Sequence, residues 1–257
     1  MSLVSLKVED DIGVVTLERP EALNAISSGV AESLREVLRE VGSRPDILVA
    51  VLTGAGDSFC VGADLKERAG FEIDDWYSNR RQISGMFQAL RELPQPSIAA
   101  VFGWTLGGGF ELALSCDLMV AAEGCRMGLP EAGVGLLPAG GGTLLLARMV
   151  GVRRAKEIVY TRRPLEASEA HDIGLVTRIA AASELRTAAL ELAAEICGSS
   201  PVVVREAKRL IEASGSEPLA RALELENEAW ARVIVTEDRA EGIAAFNDKR
   251  SPRWRNR

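Results

Sequence analysis

Histidine is almost missing from this chain of 257 residues: His171 stands alone. One imidazole excludes a histidine-rich metal centre and leaves a Ser-His-Asp triad without support elsewhere. Cysteine is scarce as well. Cys60, Cys116, Cys125 and Cys197 form no C-x-x-C pair, and three of them stand in apolar surroundings. They are read as reduced thiols of a cytoplasmic protein, with neither a disulfide framework nor a structural zinc site. A basic excess is lacking: 30 Lys and Arg against 37 Asp and Glu give a net charge of −7, which argues against nucleic acid as a partner. Long apolar runs are lacking too. The most apolar stretch, residues 97–122, is interrupted by Glu111 and Asp117 and falls short of the ~20 apolar residues of a membrane span. The opening MSLVSLKVED has no basic segment followed by an apolar run, so no signal peptide is read there. No GK[ST] phosphate loop occurs, and GAGDSF at 54–59 lacks the last glycine of a dinucleotide fingerprint.

What remains is an ordinary globular composition, 47% hydrophobic and 26% charged, long enough for one large domain or a core with an appendage. Residues 3–9 and 12–18 are short β-rich runs around Asp10 and Asp11 and predict a hairpin. Residues 27–43 space Val30, Leu34, Val37, Leu38 and Val41 as a helix does, with serine at the start and Gly42 near the end. The runs 46–54, 95–103 and 117–124 read as buried strands. Residues 67–93 and 109–115 read as helices. The pattern of strands leading into a helix thus recurs without sequence identity between its units. From about Ser183 onward no strand signal remains, and four helix-like segments follow. The chain is therefore read as α/β, with a core over residues 1–193 and an all-helical region over 194–257.

Four stretches could carry chemistry. In GWTLGGGFELALSCD, 103–117, Gly107, Gly108 and Gly109 sit between a strand and a helix, where unpaired N–H groups could serve an oxyanion. A tight turn or close helix packing is the competing reading. In FCVGADLKE, 59–67, Ala63 could offer a second N–H, and Asp64 could cap the helix that follows. In GLPEAGVGLLPAGGG, 128–142, Glu131 stands twenty residues beyond Glu111, also in an apolar, glycine-rich setting. Two such carboxylates suggest a pair whose pKa values are pushed apart, one acting as acid and one as base; two surface glutamates are the alternative. The C-terminal Lys249, Arg250, Arg253, Arg255 and Arg257 form a basic tail, either merely solvated or reaching a phosphate-bearing ligand.

Taken in order, RPEALNA, FCVGADLKE, PSIAAVFGWTLGGGFELALSCD, PEAGVGLLPAGGGT and EDRAEGIAAFNDKR resemble the crotonase family, the enoyl-CoA hydratase/isomerase superfamily, from about Val4 to Trp254. The resemblance implies a crotonase-like spiral of β-β-α turns followed by C-terminal trimerisation helices, and a homotrimer or hexamer. It implies an acyl-CoA thioester as substrate, with coenzyme A part of that substrate and no separate cofactor, metal, membrane or nucleic acid. The N–H groups of Ala63 and Gly108 would form the oxyanion hole. Because Glu111 and Glu131 are both present, it implies hydration of a trans-2-enoyl-CoA, with Glu111 activating water and Glu131 protonating the α-carbon. An isomerase on the same scaffold, or an idle binding protein, is the competing function. Ala63, Asp64, Leu65, Lys66 and Gly108 would meet the thioester, and Phe246 and Lys249 the nucleotide end. Trp76, Tyr77, Met86 and Phe87 are candidates for the acyl wall, or else for core and subunit contacts. Leu144 and Leu145 stand where the family often has Gln-Arg, which touches substrate preference.

Overall fold

The computed structural model describes residues 2–256. Strands β1 (Val4–Glu9) and β2 (Ile12–Leu17) form the expected antiparallel hairpin, Val4 facing Leu17 and Glu9 facing Ile12. Helix α1 (Ser28–Ser43) starts where the Ser27 hydroxyl accepts the Val30 N–H at 3.2 Å. It buries Val30, Leu34, Leu38 and Val41 along one stripe. After β3 (Val49–Gly54), the stretch read as one helix over 67–93 divides into α2 (Leu65–Arg68) and α3 (Ile73–Arg91). Residues 69–72, Gly70 among them, leave the helix. The Asp75 carboxylate then accepts the Glu72 N–H at 3.0 Å and starts α3 afresh.

Next come β4 (Ser97–Val101), β5 (Trp104–Leu106), α4 (Gly108–Ser115), β6 (Leu118–Ala122), β7 (Arg126–Gly128), α5 (Gly142–Val150), α6 (Val152–Thr161), β8 (Leu165–Glu166), α7 (Ala167–Asp172) and β9 (Arg178–Ala180). Strand β5 was not legible as a strand: it is three residues between Gly103 and Gly107, both at positive φ. The chain ends in α8 (Leu185–Cys197), α9 (Pro201–Ser214), α10 (Leu219–Ile234) and α11 (Glu237–Asn247). Among the described residues no single helix is long and apolar enough to cross a membrane.

The strands make two sheets. The larger has the order β1-β2-β3-β4-β6-β9 and is parallel apart from β1. The smaller has the order β5-β7-β8. Successive turns of the chain lay one strand in each sheet before entering a helix, as β4, β5 and α4 do. This is the β-β-α spiral.

Strand side chains alternate between two cores. Ala50, Leu52, Ala99, Val101, Met119 and Ala121 face α1, α3 and α4. Val49, Val51, Ile98, Ala100, Val120 and Ala122 face Leu185, Ala189, Leu192 and Ala193 of α8. Strands buried on both faces read as unbroken apolar runs, which is why they were legible. The expected division at 193/194 falls inside α8, and α8 belongs with the core because it covers the second face of the sheet. Helices α9 to α11 attach by a few polar clasps. Lys208 Nζ bonds the Gln95 carbonyl at 3.0 Å and Asp117 Oδ2 at 2.8 Å, and the Asn256 side-chain amide donates to the Pro45 carbonyl at 3.1 Å, while the Ser200 hydroxyl ties the start of α9 to Asp238 of α11 at 2.8 Å.

The tightest contact lies under α4. A Cβ on Gly109 would sit inside the carbonyl of Cys60. Gly109→Ala must push α4 off its neighbour and should cost about 3 kcal/mol or lose the soluble fold, at the upper end of overpacking. Gly70, with nothing near its would-be Cβ, is the control: Gly70→Ala should stay within about 0.5 kcal/mol. Urea titration of both variants checks this, and equal stabilities would remove the contact from its structural role.

Candidate active site

Backbone geometry builds the centre of the site. Residues 60–63 run beside β5, bridged at Cys60 and Thr105. The Ile26 N–H donates to the Gly62 carbonyl at 2.7 Å and the Asp64 N–H to the Ile26 carbonyl at 3.0 Å. Backbone groups alternate along an extended segment, so the Ala63 N–H points the other way, toward Gly108. Gly108 opens α4, where the first N–H groups have no helical acceptor and the helix dipole favours negative charge. Among the described residues neither N–H has a protein acceptor. A Cβ on Gly108 would stand 3.8 Å from the Ala63 nitrogen, and one on Gly62 (φ +90°) 2.8 Å from the Gly108 nitrogen. The two donors thus share one space that glycine alone leaves open.

Both glutamates reach that space. Glu111 lies one turn into α4 and is 3% exposed. Its Oε1 accepts the N–H groups of Gly140 at 2.6 Å and Gly142 at 2.8 Å. Burial pushes its pKa above the ordinary value, opposed by these backbone donors and by the charge of Arg80. Glu131 begins a short 3-10 turn, Glu131–Val134, after Pro130. Burial, with the charge of Glu111 added, raises its pKa to about 7. Its Oε2 is buried without a protein hydrogen-bond partner, and its Oε1 lies 3.0 Å from where a Gly107 Cβ would be.

The cavity between them holds about 320 Å³. Ile26, Val61, Ala63 and Leu65 wall one side, Trp76, Arg80, Ile83 and Phe87 of α3 another, and Val134, Leu136 and Leu137 a third. Of the residues expected in the site, Ala63, Leu65, Trp76, Gly108, Glu111 and Glu131 line this cavity. Others do not. Asp64 turns inward: it accepts the Lys66 and Glu67 N–H groups at 3.0 and 3.2 Å and pairs with Arg19 at 2.6 Å, so it is the cap of α2. Lys66 is exposed away from the wall, and Tyr77 points to solvent because one residue along α3 turns it from the face that holds Trp76. Met86 is core, whereas its neighbour Phe87 is wall.

Phe246 is 84% exposed on α11, and Lys249 follows it at φ +54°; neither lines the cavity of its own chain. In the basic tail, Arg250 pairs with Glu241 at 2.6 Å, and Arg257 lies outside the described residues. Sequence reasoning missed Gly140 and Gly142 as donors, although it marked their loop. It also missed Arg68 and Arg80, which follow the FCVGADLKE motif in a stretch matching no pattern.

Comparison with known proteins gives the family of the chain. The family model described as enoyl-CoA hydratase/isomerase matches residues 7–257. The chain belongs to the enoyl-CoA hydratase/isomerase family. It is 42% identical over 242 residues to the Bacillus subtilis protein YngF, covering 94% of this chain and 93% of that one. It is 39% identical over 250 residues to a short-chain-enoyl-CoA hydratase of Clostridium acetobutylicum, covering 96% and 95%. The crystal structure of an enoyl-CoA hydratase from Bacillus anthracis superposes with a TM-score of 0.97 at 38% identity, covering 99% of this chain and 100% of that one. As a crotonase-family member the chain is an enzyme, and an acyl-CoA substrate fits that family.

The raised pKa of Glu131 links the site to stability. The folded crotonase-family chain holds this proton up to about pH 7, whereas an unfolded glutamate releases it near 4.5. Stability therefore falls as pH rises through that window, and the cost is complete above it. Glu131→Gln removes the cost. At about 1.4 kcal/mol per pKa unit, discounted for partial exposure, the variant should be about 1–2 kcal/mol more stable than wild type at pH 8. The two should match near pH 4. Urea midpoints at both pH values test it, and a pH-independent difference would contradict it.

Proposed function

We propose that this chain is an enoyl-CoA hydratase, adding water to a trans-2-enoyl-CoA thioester to give the 3-hydroxyacyl-CoA. The observation that carries the reading is a pair of carboxyls in unequal surroundings beside two free N–H donors. Gly140, Gly142 and Arg80 favour the ionised form of Glu111. Glu131 has no donor on Oε2 and keeps its proton to about pH 7. Unequal environments divide two carboxyls into base and acid.

In the proposed reaction the thioester oxygen lies against the Ala63 and Gly108 N–H groups. Glu111 takes a proton from water as the water oxygen bonds to C3. The π electrons move toward the carbonyl, and the resulting enolate oxygen is held by the two donors, each worth about 3 kcal/mol in such a hole. The enolate re-forms the carbonyl as C2 takes the proton of Glu131. The proton left on Glu111 returns to Glu131 through the next water.

We also infer that the active form is a homotrimer or hexamer. Helices α9 to α11 expose Ile211, Leu219, Trp230, Ile243 and Phe246, and the turn before α11 exposes Val235. So much apolar surface is costly in water unless a second copy covers it. Phe246 and Lys249 of a neighbouring subunit would then meet the nucleotide end of coenzyme A, Lys249 at a phosphate.

Two tests follow. Glu111→Gln and Glu131→Gln should each lower kcat for hydration at least ~100-fold with little change in thioester binding. The double variant should lose far less than the product of the two. Mass-detected assays on a panel of enoyl-CoA thioesters, scoring water addition and double-bond migration, read the outcome. If Glu111→Gln spares double-bond migration while Glu131→Gln abolishes it, and no hydration is seen, the enzyme is an isomerase. For the assembly, sedimentation should give a trimer or hexamer, and Lys249→Ala should raise KM with little loss of kcat. A stable monomer at micromolar concentration, or an unchanged KM, would refute it.

A further inference from the structure

On the hydratase reading, the acyl chain leaves the glutamates and enters the part of the cavity walled by α2 and α3. That wall is apolar at Leu65, Ile83 and Phe87, but two guanidinium groups interrupt it, Arg68 at the end of α2 and Arg80 on α3. Neither is ion-paired among the described residues. The acids nearest Arg68 already have partners. Asp64 pairs with Arg19, and Glu67 accepts the Ser28 N–H at 3.0 Å. Arg68 Nε is buried without a hydrogen-bond partner. Its guanidinium lies over the Trp76 ring at 5.4 Å, and Phe71 meets that ring edge-on at 5.8 Å. Stacking fixes the plane of the guanidinium and attracts its charge, but it uses none of the in-plane N–H donors. Burial also holds the Arg68 pKa below its usual value, opposed in part by the charges of Glu67 and Asp64.

The wall has a direction. Phe87 packs on Gly140, whose N–H holds Glu111, so Phe87 marks the reacting end. On the same face of α3, Arg80 lies about 10 Å and Trp76 about 16 Å further along the axis, at 1.5 Å per residue. The Arg80 charge still acts on Glu111. An anion meeting Arg80 would therefore sit up to about 10 Å along α3 from the reacting end, and one meeting Arg68, over Trp76, further out.

We propose that this pocket selects trans-2-enoyl-CoA thioesters whose acyl chain ends in a carboxylate, received by the in-plane donors of Arg68 and by Arg80. A guanidinium pairs with a carboxylate through two parallel N–H donors. A neutral chain of equal length would leave the buried Nε of Arg68 unpaired against hydrocarbon, so the pocket discriminates against it. A phosphate of coenzyme A offers the same chemistry, and the test separates the two sources.

The full-length enzyme is assayed for hydration of trans-2-enoyl-CoA thioesters of about five to ten carbons that end in a free carboxylate, and of their methyl esters, so that the series spans the distance from the glutamates to Arg68 over Trp76. Wild type should prefer the carboxylate at least about 30-fold in kcat/KM, the range of a hydrogen-bonded charge. Arg68→Met should reduce that ratio below about threefold, and Arg68→Lys should keep part of it. Thermal melts of both variants establish that they fold, and Arg68→Gln replaces Met if it does not. A wild-type ratio near one throughout the series overturns the proposal. So does an Arg68→Met variant that depresses both substrates alike, which would assign Arg68 to a coenzyme A phosphate. If wild type hydrates none of these thioesters, the hydratase reading fails by itself, and calorimetry with the saturated analogues decides the pocket. A tenfold preference for the carboxylate-ended analogue sustains it, and equal affinities overturn it.

Discussion

The site depends on two backbone segments touching where no side chain can stand between them. Residues 60–63 and 104–109 are joined by the Cys60 N–H to the Trp104 carbonyl at 3.3 Å and by the Leu106 N–H to the Cys60 carbonyl at 2.9 Å. Beyond that ladder Cys60 presses on Gly109, and Gly62 on Gly107 and Gly108. Three consequences follow from this approach. The N–H groups of Ala63 and Gly108 open on one space. Helix α4 is set at a fixed depth, which puts Glu111 one turn inside the cavity. Gly107 leaves room for the Glu131 carboxyl. Donors fixed in this way are already oriented before charge develops on a ligand, which is the condition for strong electrostatic stabilisation.

The loop 138–142 completes the arrangement from the other side. The Gly140 and Gly142 N–H groups converge on one oxygen of Glu111, and Arg91 donates to the Gly140 carbonyl at 2.8 Å. Arg91 thereby fixes the peptide whose neighbours solvate the carboxylate, and hydrogen bonds chained in this manner reinforce one another in a low dielectric. Glu131 receives no such support on Oε2. Burial raises the proton affinity of both carboxyls, and the loop amides and Arg80 offset it at Glu111 alone, while the charge of Glu111 adds to it at Glu131.

Much of this was legible in the sequence, and the limits are physical. The strands were legible because both faces are buried, and α1 because its apolar stripe is regular. The glycine run and the two glutamates stood out because each is costly in an apolar setting without a compensating role. Strand β5 was not legible, since three residues between left-handed glycines carry no period. Nor was the break at 69–72, because residues on either side of it are good helix material. Trp76 and Tyr77 have similar chemistry, and only the rotation of α3 sends one into the cavity and the other to solvent. Arg68 depends on a stacking partner eight residues on, across that break, and no local pattern encodes such a contact. The positions of Phe246 and Lys249 belong to a surface that one chain leaves uncovered.

Buried acids elsewhere in the molecule show what sets the two glutamates apart. Asp64 has Oδ1 filled by two α2 amides and Oδ2 by Arg19. Asp238, 1% exposed, has Oδ1 filled by the Arg255 and Asn256 N–H groups and Oδ2 by the Ser200 hydroxyl. In both, each oxygen has a donor, and the carboxylate acts as a clasp between segments. Glu111 is buried as deeply, yet its donors all fall on Oε1, and Glu131 has a buried Oε2 with none. An acid with a donor on each oxygen is tied into the fold on both sides, whereas one with an oxygen free of donors at a cavity wall is open to a ligand. Burial alone therefore does not distinguish a reactive carboxyl from a structural one. The distribution of donors over its two oxygens does.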